Sequence, residues 1–163
     1  MVWDRRSTPS GRPSGAEPVR AIGVDLGSKR IGVALSASTL ATPYEVVQRS
    51  GDKRRDHRRI AELVDEAGAT VVVVGLPLSL DGSVGPAAER VLDEIEAMAE
   101  VVPVPIETWD ERLSTVTAEQ SLREQNVKGR ARRDVVDMVA AAVILQAWMD
   151  SRDRPRADER EHA

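Results

Sequence analysis

The sequence predicts a single α/β domain on a mixed sheet, an antiparallel meander feeding a parallel section, with helices on its faces. Three observations predict it. Two short apolar runs, Ala21 to Leu26 and Ile31 to Leu35, flank the turn residues Gly27, Ser28, Lys29 and Arg30, the pattern of a tight hairpin. Val71 to Gly75 is an unbroken valine run, the mark of a strand buried on both faces. Finally, the 163 residues are 41% hydrophobic yet contain no Phe, one Tyr and three Trp, so the core must be Val, Leu, Ile and Ala. That composition suits a buried sheet covered by helices.

Each element follows in order. Residues 1–18 are rich in Pro, Gly, Ser and Arg and are expected to form a disordered tail. The hairpin opens the domain, assigned to residues 19–150. A third strand is expected over Tyr44 to Gln48, after Pro43, with Ser50, Gly51 and Asp52 as its exit turn. Asp52 is a candidate N-cap for a helix to about Ala67, in which Ile60, Leu63 and Val64 share a face and Gly68 is the stop. The valine strand ends in the loop GLPLSLDGSVGP, and a helix is expected from Ser83 to about Ala99. Val101 to Trp109 reads as a strand whose Pro103 and Pro105 mark an edge or an irregular start. Ser114 or Thr115 is placed to cap a helix to about Glu124, followed by a polar, basic loop over Asn126 to Arg132. The last helix is expected from Arg133 to Asp150, and residues 151–163 as a flexible charged tail. The order is β-β-β-α-β-α-β-α-α.

Composition narrows the function. The absence of cysteine excludes disulfides and thiolate metal sites and agrees with a reducing, cytoplasmic setting. No apolar segment approaches the roughly 18 residues of a membrane span. A net charge of −4 argues against bulk electrostatic attraction to nucleic acid, but local basic clusters remain. One holds Lys53, Arg54, Arg55, His57, Arg58 and Arg59; another holds Arg123, Lys128, Arg130, Arg132 and Arg133.

The chemistry is sought among carboxylates at the ends of strands or on buried faces. Asp25 lies inside an apolar strand, where an ionised group must be bonded, paired or placed at the sheet's end. Taken alone, D-x-G fits equally well an aspartate that anchors the turn. Asp110 and Glu111 follow the later strand, and strand alternation leaves open which of them faces a site. Asp137 stands in VVDMVAAAVILQAWM, too deep in an apolar helix to serve the helix dipole, whereas Asp134 at the helix start fits that role. Convergence of these acids on a divalent metal joins them economically. Oxygen-only donors favour Mg²⁺ or Mn²⁺.

Four motifs, DLGSKRIGVA, VVGLPLSLDGS, DERLST and VDMVAAAVIL, closely resemble the YqgF family, also called RuvX, of Holliday junction resolvase-like proteins. The resemblance runs from about Ala21 to Asp150. It implies an RNase H-like fold, a nuclease that matures the 5′ end of pre-16S rRNA, and an acidic triad carried onto Asp25, the Asp110–Glu111 motif and Asp137. Likeness to related resolvases favours Glu111 over Asp110. Arg30, Arg112, Lys128, Arg130 and Arg132 are expected near the same sheet end, against substrate phosphates. Arg112 is expected equally to pair with Glu111 or Asp110. If the acids repel one another without metal, Asp137→Asn should lose cleavage without melting lower.

Three rivals accompany that reading. An ATP-binding domain of the actin and Hsp70 type opens with a similar hairpin, but needs a second lobe and a second glycine-rich phosphate loop. A non-catalytic nucleic-acid-binding protein would keep the fold without turnover. A resolvase of branched DNA would use the same chemistry on another backbone; a two-fold junction would want a dimer, and the sequence leaves monomer and homodimer both open.

Overall fold

The computed structural model describes residues 19–114 and 129–153. Five strands form one mixed sheet: β1 (Ala21–Leu26), β2 (Arg30–Ala37), β3 (Leu40–Gln48), β4 (Val71–Leu76) and β5 (Ile106–Asp110), in the order β3-β2-β1-β4-β5. The first three form the antiparallel meander, and β4 and β5 add in parallel on the other side of β1. Among the described residues, three helices cover the sheet: α1 (Lys53–Ala67), α2 (Pro86–Ala99) and α3 (Arg130–Asp153). Among the described residues, no helix is long and apolar enough to cross a membrane.

Strand alternation divides the core into two layers. Ile22, Val24, Ile31, Val33, Val72 and Val74 pack beneath α1 and α2, with Ile60, Leu63, Val64, Val91 and Met98. Ala21, Ala34, Val71 and Val73 face α3, where they meet Ala140, Ala141, Ile144, Leu145 and Trp148. Small residues let α3 lie close to the sheet. A Cβ added at Gly23 would stand 2.8 Å from the Ala141 carbonyl oxygen, and one at Gly32 would meet the backbone carbonyl of Asp137.

Element boundaries depart from the sequence reading where local chemistry decides them. The third strand begins at Leu40, not Tyr44, and runs through Pro43. Because β3 is an edge strand, the missing Pro43 N–H costs little, and a register shift between Val33 and Ala34 accommodates it. Helix α1 matches its expected start, since Asp52 Oδ1 accepts from the Arg54 and Arg55 amides at 3.0 and 3.3 Å. Gly68, at φ 62°, ends it in the left-handed conformation.

Helix α2 starts at Pro86 rather than Ser83, because proline fits the first helical position and Ser83 is bonded to Asp81. Strand β5 starts at Ile106 rather than Val101; the Val101 and Val102 amides instead donate to the Met98 carbonyl at the end of α2. Helix α3 begins three residues before Arg133 and continues past Asp150 to Asp153. The helix thus enters the stretch read as a flexible tail, where Arg152 lies 4.7 Å over the Trp148 ring, one turn back. The expected N-terminal tail, the helix from Thr115 to Glu124, Lys128 and residues 154–163 lie outside the described residues. Ser114 opens no described helix; it closes the 3-10 turn Glu111–Leu113, its amide and hydroxyl both donating to the Glu111 carbonyl.

Candidate active site

The α3 face of the sheet brings three carboxylates into one row. Alternation along β1 puts Asp25 on the face of Ala21 and Gly23, toward α3. Asp25 pairs with Gly32 of β2, and Gly32 is where Asp137 of α3 lies against the sheet. On the other side β1 runs parallel to β4, pairing Val24 with Val74, so Gly75 is the next residue along. Over Gly75 lies Glu111: its Oε1 is 2.7 Å from where a Cβ at that position would stand. Glycines therefore flank Asp25 on both neighbouring strands, and each leaves space that another acid uses. With strands about 4.8 Å apart, the row spans roughly 10 Å.

Glu111 and Asp110 stand in different surroundings. Trp109 packs in the α3 layer, and Glu111 continues to that face from the single 3-10 turn Glu111–Leu113. Burial, and then the neighbouring charge of Asp110, holds the Glu111 carboxyl above its ordinary range. Asp110 is occupied elsewhere. Its Oδ1 accepts from the Arg112 amide at 3.0 Å and its Oδ2 from Arg112 Nη2 at 2.6 Å. That guanidinium holds the Asp110 carboxyl below the usual carboxylate range.

Donor chemistry fits a hard divalent cation, since every acid in the row offers oxygen alone. The side chains are not drawn together around one point, however. Among the described residues, no three His, Cys, Asp or Glu groups stand close enough to share an ion. Asp137 is held by a cation of the chain itself: Arg30 Nε donates to its Oδ2 at 2.6 Å and lies 3.7 Å from Asp134 Oδ1. That pair corrects the expectation that Asp137 sits among unrelieved like charges. Asp134 is not at the helix start but in its second turn, where it also accepts from Gln48 Nε2 at 3.1 Å.

The expected basic residues divide. Arg30 is on the carboxylate face, at the end of the turn that Asp25 leads into. Arg112 is bound to Asp110, and its Nη1 donates to the Leu80 carbonyl at 3.3 Å, fastening the β4–α2 loop to the end of β5. Its pairing is with Asp110, not Glu111. Arg132 is exposed in the first turn of α3, while Lys128 and the Arg130 side chain lie outside the described residues.

The basic cluster at the start of α1 is not a continuous surface. His57 is buried against Glu94, and Arg59 is spent on Glu45, Glu62 and Glu66. Lys53, Arg54, Arg55 and Arg58 remain exposed.

On the opposite face, the sequence reading missed a buried network of Arg49, His57 and Glu94. Arg49 donates to Glu94 at 2.6 and 2.8 Å, and His57 Nε2 is 2.7 Å from Glu94 Oε2. A signal for it existed. Glu94 falls between Val91 and Met98 on the buried stripe of α2, and His57 stands one turn before Ile60 on that of α1. Arg49 and Glu94 also line a cleft of about 520 Å³ with Lys53 and Arg90.

Comparison with known proteins agrees with this architecture. Residues 19–151 match the family model described as RuvX, Holliday junction resolvase. A protein of Mycobacterium sp. (strain KMS) named "Putative pre-16S rRNA nuclease" is 48% identical over 146 residues, covering 86% of each chain. A Rhodococcus opacus (strain B4) protein of the same name is 46% identical over 151 residues, 88% of this chain and 85% of that one. Among solved structures, T. thermophilus RuvC in complex with Holliday junction substrate superposes with a TM-score of 0.53 at 19% identity. It covers 82% of this chain and 95% of that one, a likeness of fold.

Proposed function

The chain belongs to the RuvX family, and from its site we propose that it is a divalent-metal-dependent endonuclease that processes the 5′ end of pre-16S rRNA. The observation that carries this reading is the row of Asp137, Asp25 and Glu111 on one sheet face, where Gly32 and Gly75 leave room for Asp137 and Glu111 to lie close beside Asp25. These three would hold Mg²⁺ or Mn²⁺. Bound there, the metal would supply an activated water and stabilise the leaving oxygen of a phosphodiester.

The chain's own residues do the rest. Arg30 supplies a cation beside Asp137, where a substrate phosphate can share it. Arg112 holds Asp110 away from the row and fixes the loop that borders it, so its role is support rather than grip. Arg132, exposed at the start of α3, contributes to phosphate binding with Lys128 and Arg130. Replacing the three by Ala should weaken substrate binding and flatten its salt dependence.

The pre-16S rRNA substrate follows the names of the relatives. A second reading, resolution of branched DNA, follows the family's description and the junction bound to the structural neighbour. Matched assays on a pre-16S rRNA 5′ fragment and a four-way DNA junction, each with Mg²⁺, separate them. Preferential cutting of the RNA supports the first reading; preferential cutting of the junction replaces it with the second. Cutting of neither leaves a non-catalytic nucleic-acid-binding protein.

A further inference from the structure

The turn between β1 and β2 joins the two residues on which the site depends, Asp25 before it and Arg30 after it. It is held from the far side of the sheet. The Arg49 amide donates to the Lys29 carbonyl at 3.1 Å, while its side-chain Nε and Nη2 donate to the Gly27 carbonyl at 3.0 and 2.8 Å. Gly27 in turn donates its own N–H to the Asp25 carbonyl at 3.1 Å. One arginine thus grips both halves of the turn, one bond away from the backbone of Asp25.

Arg49 is itself aimed. Glu94 takes its Nη1 and Nη2 as a fork, and His57 fixes Glu94 from α1. The Glu94 and His57 side chains are only 7% and 1% exposed. A buried ion pair of this kind is a weak source of stability, because well-packed apolar side chains of similar volume do as well or better. What apolar side chains cannot supply is a directed donor to the Gly27 carbonyl. Arginine's planar fork can serve Glu94 and Gly27 at once; lysine's single ammonium cannot do so in the same geometry.

We infer that Arg49, oriented by Glu94 and His57, is a positioning residue that sets the β1–β2 turn and, through it, the placement of Asp25. The inference rests on the nuclease reading for what Asp25 does. The holding of the turn is tested independently of it.

The test compares Arg49→Lys with Arg59→Lys, which makes the same change in the partly exposed network to Glu45, Glu62 and Glu66. Amide hydrogen exchange is measured on both and on wild type, followed by steady-state cleavage. Arg49→Lys should speed exchange at Gly27 to Arg30 by about ten-fold or more, while Val72 to Val74 stay within about two-fold of wild type. Its kcat should fall about 10–100-fold with KM little changed, the usual effect of losing an outer supporting contact. Arg59→Lys should do neither. If Arg49→Lys does not fold, Glu94→Gln, which weakens the aim of Arg49 and leaves its size alone, should show the same turn-specific pattern.

Exchange that rises uniformly over the sheet, or a turn that stays as protected as wild type, overturns the inference. So does a loosened turn with unchanged kcat. If wild type cleaves no substrate, the nuclease reading fails while the exchange pattern still decides whether Arg49 holds the turn.

Discussion

Asp137 is buried, and its carboxylate accepts a short bond from Arg30. Asparagine in its place can still accept from Arg30, but without the charge. Asp137→Asn should therefore lose cleavage and also melt lower in metal-free buffer, through a loss of stability of about 1–2 kcal/mol, roughly the difference between a hydrogen bond to a charged group and one to a neutral group. Thermal melts in EDTA check this; a midpoint at or above wild type would restore the picture of mutually repelling acids. Glu94 gives a pH signature. Burial alone would raise its carboxyl, but Arg49 and then His57 outweigh burial and hold it below the ordinary value of 4.5. A carboxylate with a lowered folded value adds stability above its unfolded value and loses it as pH falls through the folded one. Wild type should thus exceed Glu94→Gln in stability at pH 7, with the gap closing as pH drops below about 4.5. Urea melts across that range test it, and a gap independent of pH would remove the ionised pair from the account.

At the scale of elements, the glycines of the sheet carry distinct loads. A methyl group at Gly32 would press on the Asp137 backbone, which cannot yield without shifting α3. At Gly75 it would press on Ile144 Cδ1 and Glu111 Oε1, the far ends of two side chains. Gly32→Ala should consequently cost about 1–3 kcal/mol, the range for overpacking a filled core. Gly75→Ala should cost clearly less in stability yet reduce cleavage by displacing Glu111. Melting and cleavage measured together decide it; equal losses of stability at both sites would count against the placement of Glu111. Most elements were legible in the sequence because their signals are local: the valine run, the Asp52 cap, the Gly68 stop. The start of β3 was not, because Pro43 breaks a central strand but not an edge, and edge position is a property of the whole sheet. The true start of α2 was masked by Ser83, a good cap by type that the turn claims through Asp81.

Across the whole molecule, Asp25, Glu111 and Asp137 come from β1, the 3-10 turn after β5 and α3. Motif resemblance marked them as a set; only the strand order and register put them over neighbouring strands. The different surroundings of Asp110 and Glu111 needed the same information, since they depend on which face Trp109 packs against and where Gly75 leaves room. The Arg49 network escaped the sequence reading because an arginine, a histidine and a glutamate distant in sequence give no joint signal, although two of them interrupt apolar stripes. Phosphodiester cleavage is expected to depend on the row of carboxylates facing α3. The most direct test is cleavage of a labelled pre-16S rRNA 5′ fragment in Mg²⁺ by wild type, Glu111→Gln and Asp110→Asn in parallel. Wild type should cut in Mg²⁺ and not in EDTA, and Glu111→Gln should lose more than about 100-fold, the upper end of losses seen even for outer partners of a metal site. Asp110→Asn should retain most activity. Cutting that persists in EDTA, or an Asp110 variant that fails while the Glu111 variant cleaves, would contradict the claim.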